Sequence, residues 1–478
     1  MTQAAIRNNG GSQRELFAVF EEFFERATGK RRPWEFATFG AFDKTIRDNA
    51  DNLTNRHVDA LRFVWDQLPR FYRPDDLRAF EDAQSAAGLK FVLGGSSRFG
   101  ETHYDSVRKM VLYADTILIP DPVLPWMEDP RSEERFRDVL LLQTVFTLLH
   151  LKPLVDADLP YPAIIVFPSF ERSLENKDPR TRDLIEKFCV EVLSAKFGND
   201  FANLEEVVGF ATTNPHDFLA RVEAQGVFVG PQVDPSRPLK QHIAEYRKTI
   251  ADWRSVEDQK LAAAYTDSQL VLQGIVERLR AQFHLLENAE ELAANPMLCV
   301  PNQWHYYSVC ATAFEERLKK SGLLEPKTIA SVRAINQPAL DWLGNIAVDD
   351  LVRLRSENEN EAFRKRLSTL IGQLNQASIE DLDKVTREIS KDLSALLSDH
   401  SKNVRLQAGE FQTKYKIAAL GACLTLAAVL FPCLAPFGLP ASAAAVGLGY
   451  AATKIDELDK RKLRAKSLLG VLAAAKNG

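Results

Sequence analysis

The stretch Thr116-Ile117-Leu118-Ile119, closed by Pro120-Asp121-Pro122, decides how this chain folds. A short apolar run that stops at a Pro-Asp-Pro turn is a strand, because it is too short for a stable helix and Pro cannot continue a ladder. Two similar runs flank it. Phe91-Val92-Leu93 ends at Gly94-Gly95, and Ala163-Ile164-Ile165-Val166-Phe167 is closed by Pro168. Helical patterns lie between and after these runs, from about His103 to Tyr113, from Ser132 to Leu151 and from Thr181 to Phe197. Strands alternating with helices give an α/β layer with a mostly parallel sheet. Val207 to Phe210 and Val227 to Val229 read as two further strands around a helix at His216 to Ala224.

Upstream, Leu16, Phe17, Val19, Phe20, Phe23 and Phe24 recur at helical spacing, with Glu21, Glu22, Glu25 and Arg26 between them. This is an amphipathic helix ending near Gly29, its Phe stripe turned to a core. A second helix is expected from Asn55 to Leu68, with Val58, Leu61, Val64 and Trp65 inward. Downstream, Gly230-Pro231, Pro235 and Pro238 mark a boundary. Beyond it strand signals fade, and helices are expected at Arg247 to Trp253 and Leu261 to Leu286. The aromatic group Trp304, His305, Tyr306, Tyr307 and Phe314 reads as core, the alternative being a surface that binds a base or a lipid headgroup. Four regions follow: N-terminal helices at 1–79, an α/β domain at 80–232, a helical domain at 233–414, and a hydrophobic hairpin with a basic helix at 415–478. The expected class is thus mixed, an N-terminal α/β region and then an all-α half ending in a helical hairpin.

The end of the chain carries the sharpest functional signal. Ile417 to Thr453 contains no charged residue, in a protein with 26% charged residues overall. Pro432, Pro436, Gly438 and Pro440 divide it; Lys414 and Lys416 precede it, and Lys454, Lys460, Arg461, Lys462, Arg464 and Lys466 follow. A spanning helix needs roughly 20 apolar residues, and each arm is shorter than that. Basic residues at both ends favour keeping both ends on the cytoplasmic side. Leu420, Leu424, Leu426, Val429, Leu430, Phe431, Phe437 and Leu448 would then face lipid. The alternative is a buried helical pair, and a hairpin hidden until triggered satisfies both. Leu367, Leu370, Leu374, Leu382, Val385, Ile389, Leu393 and Leu396 step by threes and fours ahead of it, and the helices at 365–412 form either a partner or oligomer interface or an internal stalk.

Candidate sites lie beyond the C-terminal ends of the strands, where open α/β sheets bind ligands. Gly94-Gly95-Ser96-Ser97-Arg98 stands between a strand and a helix, where backbone N–H groups cradle phosphate and Arg98 adds charge. It matches neither the P-loop nor G-x-G-x-x-G, and the same residues make a plain turn. Asp115, Asp121, Glu128 and Asp129 form either a Mg²⁺ site or a solvated loop of turn residues. No catalytic residue, metal ligand or cofactor is assigned. His103 and Asp105 are too close in sequence to indicate a triad, and neither G-x-S-x-G nor H-E-x-x-H is present. His150, at the end of an apolar helix, reads as a packed or capping histidine.

A length of 478 residues suits two or three domains, and 28 Phe residues supply real cores. A net charge of −5 gives no case for nucleic-acid binding. Five cysteines with no C-x-x-C pair fit a reducing compartment, and Met1 to Arg14 has no apolar signal region. A cytoplasmic protein with inner-membrane association is expected.

The run Leu351-Val352-Arg353-Leu354-Arg355, followed by Phe363-Arg364, resembles a pattern in uncharacterised bacterial proteins associated with anti-phage defence. The resemblance covers about twenty residues. It implies an effector or sensor in antiviral immunity and assigns no catalytic residue. The competing expectation is a nucleotide- or metal-dependent hydrolase with its site in the α/β domain.

Overall fold

The computed structural model describes residues 3–29, 31–36, 38–48, 50–72, 78–94, 99–111, 114–125, 134–159, 161–168, 178–231, 233–253, 256–300, 302–303, 305–310, 312–313, 348–356, 365 and 369. The expected hairpin and basic helix at 415–478, and all of the leucine-rich region at 365–412 except Lys365 and Thr369, lie outside the described residues. Among the described residues no helix is long and apolar enough to cross a membrane.

The structure is mostly helical, with one small parallel sheet. Its first helices are α1 (Gln3–Thr28), α2 (Phe39–Asp48) and α3 (Ala50–Gln67). The Phe stripe of α1 is core: Phe17, Phe20, Phe23 and Phe24 are fully buried, and Gly29 ends the helix with φ 76°. Phe42 of α2 stacks on Phe146 with ring centroids 4.0 Å apart, and Phe24 lies against both rings. The inward face of α3 differs from the expected one. Ala60 and Val64 are buried, whereas Val58 and Trp65 are 54% and 57% exposed. Adjacent helical residues lie about 100° apart, so Val64 and Trp65 cannot both face one neighbour.

Next come α4 (Arg78–Ser85), β1 (Lys90–Leu93), α5 (Glu101–Val111), β2 (Thr116–Pro120), α6 (Glu134–Leu149), α7 (Lys152–Asp156) and β3 (Ile164–Phe167). The helical half holds α8 (Pro179–Phe197), α9 (Leu204–Thr213), α10 (Pro215–Gln225), α11 (Leu239–Trp253), α12 (Val256–Ala264) and α13 (Asp267–Glu291). Then follow β4 (Asn295–Met297), helical residues between 302 and 313, and α14 (Val348–Ser356).

The strands are all parallel, in the order β3-β2-β1-β4. Register aligns Phe91 with Ile117, and Ile117 with Ile164. Side chains alternate across the sheet. Phe91, Leu93, Ile117, Ile119, Ile164 and Val166 share one core with α1, α5 and α6. Val92, Leu118, Ile165 and Phe167 share another with Ala83 of α4 and with Leu285 and Ala289 of α13. Helices therefore cover both faces, which is why the three sequence runs are apolar without alternation. The outer edge of β3 is closed by Gln13, whose amide donates to Val166 O at 3.0 Å and accepts from Val166 N at 2.8 Å.

Two expected strands are corrected. Val207 to Phe210 lies inside α9. Asn203 caps that helix by accepting from Glu206 N, and the Glu206 carboxylate accepts from Ala202 N. This reciprocal cap starts a helix that a short apolar run alone leaves undecided. Val227 to Val229 is buried but joins no sheet, since Val229 N donates to the Tyr306 hydroxyl and Gly230 N to His242 Nδ1. The fourth strand is Asn295-Pro296-Met297, an edge strand beside β1. Pro is tolerated there because an edge strand leaves one side without a ladder.

A separate helical core joins α8 to α11 and the first half of α13 with Tyr306 and Cys310. It draws on both sides of the boundary expected near residue 232. The capping box of Thr266 and Gln269 starts α13, whose 25 residues run from this core to the sheet.

Candidate ligand-binding edge of the sheet

The strand order reverses between β1 and β4. Connections after β1 lead to β2 and β3 on one side, while β4 joins on the other. Such a switch point leaves a crevice beyond the strand ends, where ligands of open α/β sheets bind. Gly94 ends β1 at this point, its N–H donating to Met297 O at 3.0 Å. A Cβ on Gly94 would lie 3.2 Å from Gln303 Nε2 and 3.5 Å from Leu285. Gln303 is itself held, since its Oε1 accepts from Cys299 N at 2.8 Å. Glycine is thus the residue that lets the Gln303 amide reach the end of β1.

Buried Phe99 stands just before α5. Gly100 N donates to His103 Nδ1 at 3.3 Å. That bond leaves the ring proton on Nε2, which is buried and has no hydrogen-bond partner among the described residues. Burial pushes the His103 imidazole down to about 4, so the ring is neutral at physiological pH. A neutral N–H donor at the start of a helix suits an anionic or carbonyl group. Asn302 Oδ1, close in sequence to Gln303, is also buried without a partner among the described residues.

The end of β2 is acidic. Asp121 is 1% exposed; its Oδ1 accepts from Val123 N at 2.7 Å and Leu124 N at 3.3 Å. Tyr72, which follows the short turn Leu68–Arg70, lies beside it and is buried. Burial raises the Asp121 carboxyl, and the Tyr72 phenol and two backbone N–H groups pull it partly back. Burial, and then the Asp121 charge, push the phenol well above its ordinary value. The contact is loose: neither Asp121 Oδ2 nor the Tyr72 hydroxyl completes a well-formed hydrogen bond.

Of the phosphate-loop residues expected from sequence, Gly94 stands at the switch point, and Gly95, Ser96, Ser97 and Arg98 lie outside the described residues. The two described members of the acidic group do not converge. Asp115 precedes β2 and accepts from Leu89 N at 2.9 Å, whereas Asp121 follows the strand. Six residues of extended chain put their backbones about 20 Å apart. Glu128 and Asp129 lie outside the described residues, as do Leu420, Leu424, Leu426, Val429, Leu430, Phe431, Phe437 and Leu448. His150 Nδ1 bonds Phe146 O at 2.8 Å, and its ring packs on Phe146. Sequence reasoning missed Tyr72 and Gln303 as members of this edge, and it weighed His103 only against Asp105. None of the three carried a local sequence signal: His103 sits at the third position of α5, where capping rules name Glu or Gln.

The opposite end of the sheet is held by long cations. Arg355 of α14 is 4% exposed and donates to the carbonyls of Val111 at 3.3 Å, Asp115 at 2.6 Å and Ala114. Lys90 Nζ donates to Ala83 O and Gln84 O, at the C-terminal end of α4. Within the described part of the defence-like stretch, Leu351 is core and Arg355 caps backbone.

Compared with known proteins, the chain matches no family, no curated protein and no solved structure.

Proposed function

We propose that the chain is a bacterial effector or sensor of the antiviral-defence type. Its α/β layer binds an anionic ligand at the C-terminal edge of the sheet, and its apolar C-terminal hairpin associates with or permeabilises the inner membrane. One observation carries the reading: no charged residue occurs from Ile417 to Thr453, while lysine and arginine flank the stretch on both sides. Charges inside a bilayer are costly and basic flanks stay cytoplasmic, so this pattern suits a hairpin entered from the cytoplasm. Membrane lipid is then the partner, and the helices at 365–412 link the hairpin to the rest or to a second protein. The sensing half is supported by Gly94 and the Gln303 amide at the switch point, and by the buried Nε2–H of His103 at the start of α5. The resemblance of Leu351 to Arg364 supplies the defence setting.

Leakage of dye from liposomes of phosphatidylethanolamine and phosphatidylglycerol tests the membrane half. The full chain should cause leakage, and Leu426→Asp should abolish it while the protein stays folded by circular dichroism. An unfolded Leu426→Asp protein means the hairpin is an ordinary core element, since a buried unpaired charge unfolds a core. A folded variant that still permeabilises liposomes overturns the hairpin reading as well. Removal of residues 415–478 should move membrane-bound protein to the soluble fraction.

A second reading, a nucleotide- or metal-dependent hydrolase, is favoured by one observation. Asp121 is a buried carboxyl with a raised pKa at a strand end, which is the environment of a general acid. Thermal shifts with nucleotides and divalent metals that vanish in Arg98→Ala and Asp121→Ala would move the assignment to the enzyme.

A further inference from the structure

The helix α14 ties the two halves of the chain together. The last described member of the helical core is Ala313, and α14 then returns to the core shared by α1, α5 and α6. There Leu351 is fully buried, with Val348 and Val352 packed beside it, and the helix lies on α5 and α7. Its second anchor is polar. Arg355, one turn after Leu351, donates to the carbonyls of Val111, Ala114 and Asp115. These carbonyls stand at the C-terminal end of α5 and in the turn to β2. A helix end leaves its last carbonyls without partners inside the helix, and a cation is favoured there. Two anchors thus hold a helix of 9 residues, which is too short to persist alone. Leaving the surface and unwinding are then one event. Downstream of α14 lie the leucine-rich region and the uncharged stretch from Ile417 to Thr453.

We propose that α14 is a latch. Docked through Leu351 and Arg355, it restrains the C-terminal part of the chain against the α/β layer; undocked, it frees that part to reach the membrane. The consequence of release rests on the membrane reading given above, whereas the docking and release of α14 do not. The two anchors fail together, because Leu351 and Arg355 sit at i and i+4 on one helix face and unwinding separates them. A helix built into the core by many side chains would open only when the whole domain unfolds; a two-anchor helix opens by itself.

Hydrogen exchange of the full chain, followed across urea concentrations, tests the latch. The α14 amides should open together at least about tenfold more often than those of β1, β2 and β3, and with a shallower dependence on urea. Arg355→Gln and Leu351→Ala should each remove most of the protection of α14 while the strands stay protected. Ser356→Ala, at an exposed position, should leave it as it is. Dye leakage from liposomes of phosphatidylethanolamine and phosphatidylglycerol should rise at least about tenfold in the two latch variants. Exchange of α14 only together with the strands, at the same urea dependence, overturns the proposal, and so does full protection of α14 in Arg355→Gln. Faster exchange with unchanged leakage overturns the restraint of the C-terminal part. No leakage from any form sinks the membrane reading, while the exchange data still decide the docking. Should Leu351→Ala fail to fold, Arg355→Gln decides the outcome.

Discussion

The two ends of the parallel sheet are built on opposite terms. At the N-terminal end, charged side chains are committed to backbone: Arg355 to three carbonyls, Lys90 to two, and the Asp115 carboxylate to Leu89 N. Thr116 Oγ1 is an exception there, buried without a partner among the described residues. At the C-terminal end, Asp121 Oδ2 and the Tyr72 hydroxyl face each other in a loose contact without a well-formed hydrogen bond, and His103 Nε2 is buried without a partner among the described residues. A buried polar group left without a partner costs about 1–3 kcal/mol. One end therefore stabilises the sheet, and the other carries the cost of buried polar atoms that are poorly paired among the described residues. The contrast teaches where to look for binding without any motif.

The contrast breaks first, if it breaks, at Arg355. Replacing it with Met removes a charged donor from three carbonyls, two of them in buried bonds, so urea unfolding should show a loss of about 4 kcal/mol. An unchanged midpoint would mean that the N-terminal end is not held by α14.

His103 gives the next largest effect, and it depends on pH. Its folded pKa is depressed from 6.5 to about 4 by burial. Its contribution is therefore present above the unfolded value and is lost as pH falls through the folded one, because the unfolded chain takes the proton first. A shift of this size corresponds to about 3 kcal/mol between the two pH values. Wild type should lose that much more stability than His103→Gln on acidification from pH 7 to 4. Parallel curves would place the ring in contact with water.

Gly88 sharpens the N-terminal side of the comparison. It turns the chain into β1 with φ 89°, and a Cβ there would stand 2.5 Å from Asp115 Oδ2. Gly88→Ala should cost about 2 kcal/mol from backbone strain and displacement of the Asp115 bond. Chemical unfolding of the variant measures it directly.

Asp121→Asn should have the smallest effect, within about 0.5 kcal/mol at pH 7, and in the stabilising direction. The amide oxygen still accepts from Val123 and Leu124 N–H, and the cost of burying a charge is gone. Because burial raises the wild-type carboxyl, wild type should gain on the variant as pH falls toward the unfolded carboxylate range. A large loss in Asp121→Asn at neutral pH would show that the ionised carboxylate holds this edge together.

The legible parts of the molecule were those with a local period. Phe91 to Leu93, Thr116 to Ile119 and Ile164 to Phe167 read as strands because continuous apolar runs between turn residues have few other uses. The α1 Phe stripe read correctly because 3.6-residue spacing survives any packing arrangement. Val207 to Phe210 did not, since four apolar residues satisfy either period and the decision fell to the Asn203–Glu206 cap. The Gly94 turn was visible as a strand end, but its partner Gln303 was not.

By itself, the sequence determined the class of the chain: buried strands alternating with helices, a helix-rich second half, and an uncharged apolar stretch near residue 430. Only the tertiary structure decided that Asn295-Pro296-Met297 completes the sheet beside β1, about two hundred positions from its neighbour. It also parted Asp115 from Asp121, brought Tyr72 to Asp121, and carried Arg355 to the Asp115 carbonyl. The physical reason is range. Hydrophobic periods and caps act over a few residues and are written locally. A pairing such as Phe91 with Asn295 is chosen by which apolar faces close together, and that choice belongs to the whole packed core.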